Sequence, residues 1–432
     1  MISINNRLLV RSYIILLMLS LAIDVRMVFF IGLIFCGIYY REFLCFLRER
    51  KIVLLMMGLF LLSGILSALF SPYSALLGLK ATCHYAGFIS IACLLLFLFS
   101  IAGEKAGLFY LKVLVGLALF LALIAFGEVV SENISRFLAD LFRNGERAMI
   151  SGRVRAGATL HHANVFGCFM SLGILILIYL KDAVGLKAKL FYPVATILAA
   201  GMALSASRNA VFVLALPLLM LLLNRKTVKT VALMMVIALI ALAILTPSTA
   251  RFSDIWKISA RTNTSVSVVE RGEDRRFNTA STRLWLWQSA LAMFYDHPLT
   301  GVGPGSSSRA MKDYASAPLL AVEKEKIEKM YLNAHNGFLN ILAEFGLVGS
   351  AVALAFALYL AVLLIRRYDV FPPAPVHAIL SGIVLSFIPD AFLYSIFYMS
   401  IVLTLFLLFA FPAKTGSALS IAPDQPASRE KG

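Results

Sequence analysis

The chain has 432 residues, 60% of them hydrophobic and only 14% charged, whereas a soluble globular protein is about half apolar and about a quarter charged. That balance excludes a soluble enzyme and predicts an all-α polytopic membrane protein. The 39 Lys and Arg against 23 Asp and Glu give a formal net charge of +16, which does not imply nucleic-acid binding, because membrane proteins gather basic residues in cytoplasmic loops.

Apolar stretches able to cross or nearly cross a bilayer of about 30 Å lie near 8–23, 27–40, 52–70, 83–101, 108–130, 164–180, 190–206, 209–223, 228–246, 336–365, 376–390 and 392–411. They predict about twelve transmembrane helices. Arg7 and Arg11 precede the first stretch as in a signal peptide, but no small-residue cleavage site with a polar mature domain follows, so a retained span is expected. The gap at Ser207 to Asn209 is narrow enough that two helices there read almost as one.

With the N-terminus inside, an alternating path puts Arg48, Lys105, Lys181, Lys187, Lys189, Arg225 and Arg366 in cytoplasmic turns. The expected organisation is a transmembrane bundle over 1–246, an external loop domain over 247–334, C-terminal transmembrane helices over 335–412 and a polar cytoplasmic tail over 413–432. A middle external loop near 131–163 is short enough to obey the charge rule, yet holds Arg136, Arg143, Arg147, Arg153 and Arg155. Either the topology differs locally or these arginines serve an anionic ligand.

Within the long loop, Ser281 to Tyr295 reads as a helix that ends at Asp296-His297-Pro298, as expected before a proline. Gly301-Val302-Gly303-Pro304-Gly305 reads as a turn, and Glu323 to Met330 as a charged helical piece. The five cysteines have no CxxC or Cys/His spacing, so neither a disulfide framework nor a zinc site is indicated. No nucleotide, metal or other cofactor motif is apparent.

Arg208, in Ser205-Ala206-Ser207-Arg208-Asn209, falls at the expected outer membrane edge. An arginine there either snorkels to the headgroups or lines a site. His335 stands at the mouth of a membrane helix on which Asn336, Asn340 and Glu344 recur on one face, a polar stripe that should meet protein or water rather than acyl chains. Histidine is also the side chain best placed to move a proton near neutral pH; the plainer alternative is a helix-start residue wetted by solvent. Arg283 opens the loop helix and is otherwise a solvated charge. His161 and His162 precede Asn164 at another helix entrance, and Asp390 follows Pro389 at a break between short spans, as a ligand, a proton partner or a wetted acid.

The order of these pieces resembles the O-antigen ligase and O-antigen polymerase superfamily of polytopic bacterial envelope glycosyltransferases. The resemblance covers about residues 150 to 350 and is carried by Ser-Ala-Ser-Arg-Asn, then Thr-Arg-Leu-Trp-Leu-Trp-Gln, His-Pro-Leu-Thr-Gly-Val-Gly-Pro-Gly and His-Asn-Gly-Phe-Leu-Asn-Ile-Leu-Ala-Glu-Phe-Gly. It implies metal-independent transfer of a glycan from an undecaprenyl-diphosphate carrier at the periplasmic face of the bacterial inner membrane, without a cofactor. It implies catalytic roles for Arg208, Arg283 and His335. Asn164 and Asp390 are looser matches expected to bind substrate; Asn336, on the polar stripe beside His335, and Arg153 and Arg155, in a loop that departs from the family pattern, are added as binding candidates. The expected acceptor is lipid A-core, as for a ligase. A polymerase would instead elongate another carrier-linked glycan, and a transporter or flippase of lipid-linked sugars would place its site near the bilayer midplane.

Overall fold

A computed structural model describes residues 4–23, 28–102, 106–143, 149–150, 153–160, 162–222, 279–328, 332–366, 373–387 and 395–411. The expected span 228–246, the loop segment before 279, His161, Asp390 and the tail after 411 lie outside these residues. Helices α1 (Ile4–Ala22), α2 (Val28–Ile38), α3 (Tyr40–Glu49), α4 (Lys51–Leu69), α5 (Ala75–Ala102) and α6 (Ala106–Val130) come first, followed by a short amphipathic α7 (Glu132–Phe142). A two-residue antiparallel ladder, β1 (Met149–Ile150) with β2 (Arg153–Val154), precedes α8 (Ala163–Val184), α9 (Ala188–Leu204) and α10 (Arg208–Leu222). The remaining helices are α11 (Thr279–Asp296), α12 (Ser307–Tyr314), α13 (Ala317–Glu328), α14 (Gly337–Arg366), α15 (Pro373–Phe387) and α16 (Ile396–Ala410).

Five of the described helices, α4, α5, α6, α8 and α14, are long and apolar enough to cross a membrane. Four more apolar helices, Ala188–Leu204, Arg208–Leu219, Val376–Ser386 and Ile396–Ala410, are shorter, and α2, which covers the expected second span, meets α3 at a bend of 98°. This is the helix content of a multi-pass membrane protein. Serine at the start of α7 explains a helix where only a loop was expected: the Ser131 hydroxyl accepts from the Ile134 N–H and caps it.

The bundle is built around α8. Its side chains from Val165 to Leu180 are all buried, because α6, α9, α10 and α15 pack around it; a helix apolar all round belongs in such a position. Lipid tails are as apolar as leucine, so close packing rather than water exclusion must hold these helices together. A Cβ on Gly167 of α8 would lie 2.5 Å from the Ser205 hydroxyl and 2.9 Å from the Ala210 Cβ, which makes glycine necessary where α8 meets the junction of α9 and α10. One turn on, the Ser171 hydroxyl donates to the Ala210 carbonyl at 2.8 Å. By contrast, α14 leaves most of its length exposed beyond α4 and presents Leu347, Leu354, Leu358 and Ile365 outward.

A separate small core stands at one end of the bundle. Leu286, Ala290 and Met293 of α11 pack with Met311 of α12, Leu319 and Ile327 of α13, Leu332, Ala334 and Ala343. It roots the described part of the long loop onto the start of α14.

Candidate functional site

The segment between α9 and α10 is an elbow made by two serines. The Ser205 hydroxyl accepts from the Ser207 N–H at 3.2 Å, and the Ser207 hydroxyl accepts from the Ala210 N–H at 3.3 Å, capping α10. Between them Ala206 takes a left-handed conformation, φ 47°, at a cost of about 1–2 kcal/mol for an L-residue. The elbow splits what reads almost as one apolar run and sets Arg208 and Asn209 in the first turn of α10, Arg208 half-buried and Asn209 buried. The positive end of the helix dipole at such a start favours anions.

Two further segments reach this elbow. Arg155 donates through Nε to the Ser205 carbonyl at 3.0 Å and through Nη2 to Asn164 Oδ1, at the start of α8, at 2.8 Å, while the Ala156 N–H bonds the Leu204 carbonyl. From the long loop, Arg283 donates through Nη2 to Asn209 Oδ1 at 3.4 Å. That contact is long for a hydrogen bond, and its value is positional: it brings the first turn of α11 against the residue that follows Arg208, across 74 positions of sequence.

Two other arginines of the middle loop, Arg143 and Arg136, are engaged elsewhere. Arg143 forms a buried ion pair with Glu128 of α6, whose second oxygen accepts from the Gly157 and Ala158 N–H groups at 3.0 and 2.8 Å. Arg136 pairs with Glu132 on the exposed side of α7. Arg147 lies outside the described residues, and Arg153 is described only by its backbone in β2. His162 is exposed and caps α8, its Nδ1 accepting from the Asn164 N–H.

His335 sits in an Asx turn. Its N–H donates to Asn333 Oδ1 at 2.8 Å and its backbone is left-handed, φ 45°. Asn336 then caps α14, its Oδ1 accepting from Phe338 and Leu339 N–H at 3.0 and 3.1 Å, so that oxygen is committed to the cap. Ala334, directly before His335, shares the small core with Leu286, one turn after Arg283. The histidine is thereby held on the same small domain that brings Arg283 to the elbow.

The polar stripe of α14 faces protein, as its spacing predicts: Asn336, Asn340 and Glu344 are all buried. What it meets was not legible in the sequence. The Glu344 carboxylate accepts from the Gly305 N–H at 2.9 Å and the Ser307 hydroxyl at 2.6 Å, with Asn340 Oδ1 at 3.3 Å from the same hydroxyl. At Gly346, φ 60° and ψ −158°, α14 breaks. The Leu347 and Val348 N–H groups turn to the Pro298 and Leu299 carbonyls, and the Ala343 and Glu344 carbonyls accept from Val302 and Gly303. Every one of these released groups must find such a partner in a lipid environment. The chain before α12 is thus stitched into the break, and Phe345 locks the near side between the rings of Phe60 and Tyr85.

Sequence reasoning missed Asn209, Ser205 and Glu128 as partners of the site. Asn209 had one usable signal, its place directly after Arg208.

Residues 193–354 match a family model described as O-Antigen ligase. The matched segment runs from α9 through the elbow, α10, α11 and the small core to the first half of α14, and includes Arg208, Arg283, His335 and Asn336 but not Arg155 or Asn164. No curated protein matches the chain. The match places this segment in the O-antigen ligase and polymerase superfamily, whose members are glycosyltransferase-like membrane enzymes.

Proposed function

From that superfamily placement, we propose that the chain is an O-antigen ligase that transfers a glycan from undecaprenyl diphosphate to lipid A-core at the periplasmic face of the bacterial inner membrane. The observation that carries the reading is the Arg283 to Asn209 contact: it joins the neighbourhoods of Arg208 and Arg283 at the capped start of α10. In this reading residues 247–334 form the periplasmic loop domain, and the elbow lies at the outer membrane edge.

A diphosphate with its tail in the bilayer needs cations at that edge, and arginine offers forked contacts to its oxygens. The α10 N-terminus adds favourable dipole. As the bond between anomeric carbon and diphosphate oxygen breaks, Arg208 and Arg283 stabilise the charge that gathers on the leaving group. His335 takes the proton from the acceptor hydroxyl as its oxygen bonds the anomeric carbon, a general-base contribution of typically about 10² to 10⁴ in rate. The products are the glycosylated acceptor and the free carrier diphosphate. Arg155 and Asn164 would steady the elbow from the α8 side and border the bound sugar; Arg153, Asn336 and Asp390 remain proposed contacts to substrate.

The test is reconstitution of the full chain with a carrier-linked glycan and lipid A-core. Glycan on core, lost in His335→Ala, is the expected outcome. Elongation of carrier-linked glycan without transfer to core would make the protein a polymerase, and movement of lipid-linked sugar with no transfer at all would make it a transporter.

A further inference from the structure

At the end of α8 away from the elbow, α6, α8 and the α8–α9 turn surround a hollow of about 690 Å³. With 22 residues in α8, the two ends stand about 33 Å apart, so this hollow is separate from the site above. Leu177, Val184 and Leu190 give it an apolar wall, and exposed Lys112, Lys187 and Lys189 complete it. Its size is that of a ligand pocket, about 300–1,000 Å³.

Lys187 and Lys189 lie in a turn between membrane helices, where orientation alone accounts for basic residues. Lys112 stands about 9 Å along α6 from Ala106, counting 1.5 Å per residue, close enough to the helix end for its exposed ammonium to snorkel to headgroup level, and there it lines the same hollow as Lys187 and Lys189. Among the described residues no carboxylate pairs with any of the three lysines. Nearby Lys181 is turned away over the rings of Phe191 and Tyr192.

We propose that this hollow binds an anionic phospholipid, the lysines holding its phosphate and the apolar wall one acyl chain. Three ammonium groups around an apolar slot suit a phosphate that carries a hydrocarbon tail, and basic pockets between membrane helices bind such headgroups. The site does not depend on the glycan chemistry assigned to the opposite end.

The test uses the full chain purified in a neutral detergent. Its thermal unfolding midpoint is measured with dioleoylphosphatidylglycerol, with dioleoylphosphatidylcholine at the same mole fraction, and with inorganic phosphate alone. The expected result is a rise of about 2–4 °C with phosphatidylglycerol only, a measurable increment for a protein of this size. The combined Lys112→Gln, Lys187→Gln and Lys189→Gln variant should lose that rise while keeping its midpoint in phosphatidylcholine, and the corresponding triple arginine variant should retain it. If the glutamine variant does not fold, Lys112→Gln alone is read the same way, loss of at least half the rise supporting the site. A full rise in the glutamine variants, an equal rise with phosphatidylcholine, or the same rise with phosphate alone would overturn the proposal.

Discussion

Two loops border the elbow and the small core, and each is pinned by a buried glutamate in a different manner. Residues 153–160 are held by Glu128, whose charge is matched by Arg143 and whose second oxygen takes two backbone N–H groups. The turn through Gly305 is held by Glu344 through a backbone N–H and a serine hydroxyl. The first is an ion pair with hydrogen bonds attached; the second is a cap on a turn, assisted by a broken helix. The lesson is that similar buried acids near a site are not interchangeable, because removing one partner of the first strands a charge whereas removing one partner of the second strands a hydrogen bond.

That contrast gives its own tests, read as unfolding free energies in mixed micelles. Arg143→Ala should cost most, about 3–5 kcal/mol, since it leaves Glu128 buried without its counter-charge. Gly346→Ala comes next, about 1–3 kcal/mol from the left-handed backbone, aggravated because its Cβ would lie 2.6 Å from the Gly301 nitrogen and the Leu299 carbonyl. Ser307→Ala should cost about 1.5 kcal/mol, the low end for a hydrogen bond to a buried carboxylate. If Ser307→Ala destabilised as much as Arg143→Ala, the distinction between the two clamps would fail. The smallest effect is expected for Arg155→Lys, which keeps the charge but gives up the geometry that bonds Ser205 and Asn164 together: a loss of transfer activity with the unfolding midpoint nearly unchanged.

Much of the architecture was legible because it follows from periodicity and from turn chemistry. The loop helix expected over Ser281 to Tyr295 is α11, Thr279–Asp296, ended by His297-Pro298. The glycine run after it turns with positive φ at Gly301, Gly303 and Gly305. The four-residue spacing of Asn336, Asn340 and Glu344 gave their common face. What spacing does not carry is which distant segment fills that face, and the partner of Glu344 lies 39 positions earlier. The same limit applies to Arg143: its charge was visible as an anomaly of the middle loop, but its pairing with Glu128 needed α6 and α7 to be folded against each other. Arg155 shows the opposite case, a residue singled out on charge alone that reaches the elbow and there acts on Ser205 and Asn164.

The most direct measurement is a double-mutant cycle on Arg208 and Arg283, read as kcat/KM for transfer from an undecaprenyl-diphosphate glycan in reconstituted vesicles. Each alanine variant should lose about 10² to 10³ in rate, and the double variant should lose clearly less than the product of the two, because both side chains serve one diphosphate. A wild-type rate in either single variant, or losses that multiply in full, would contradict a shared site at the elbow.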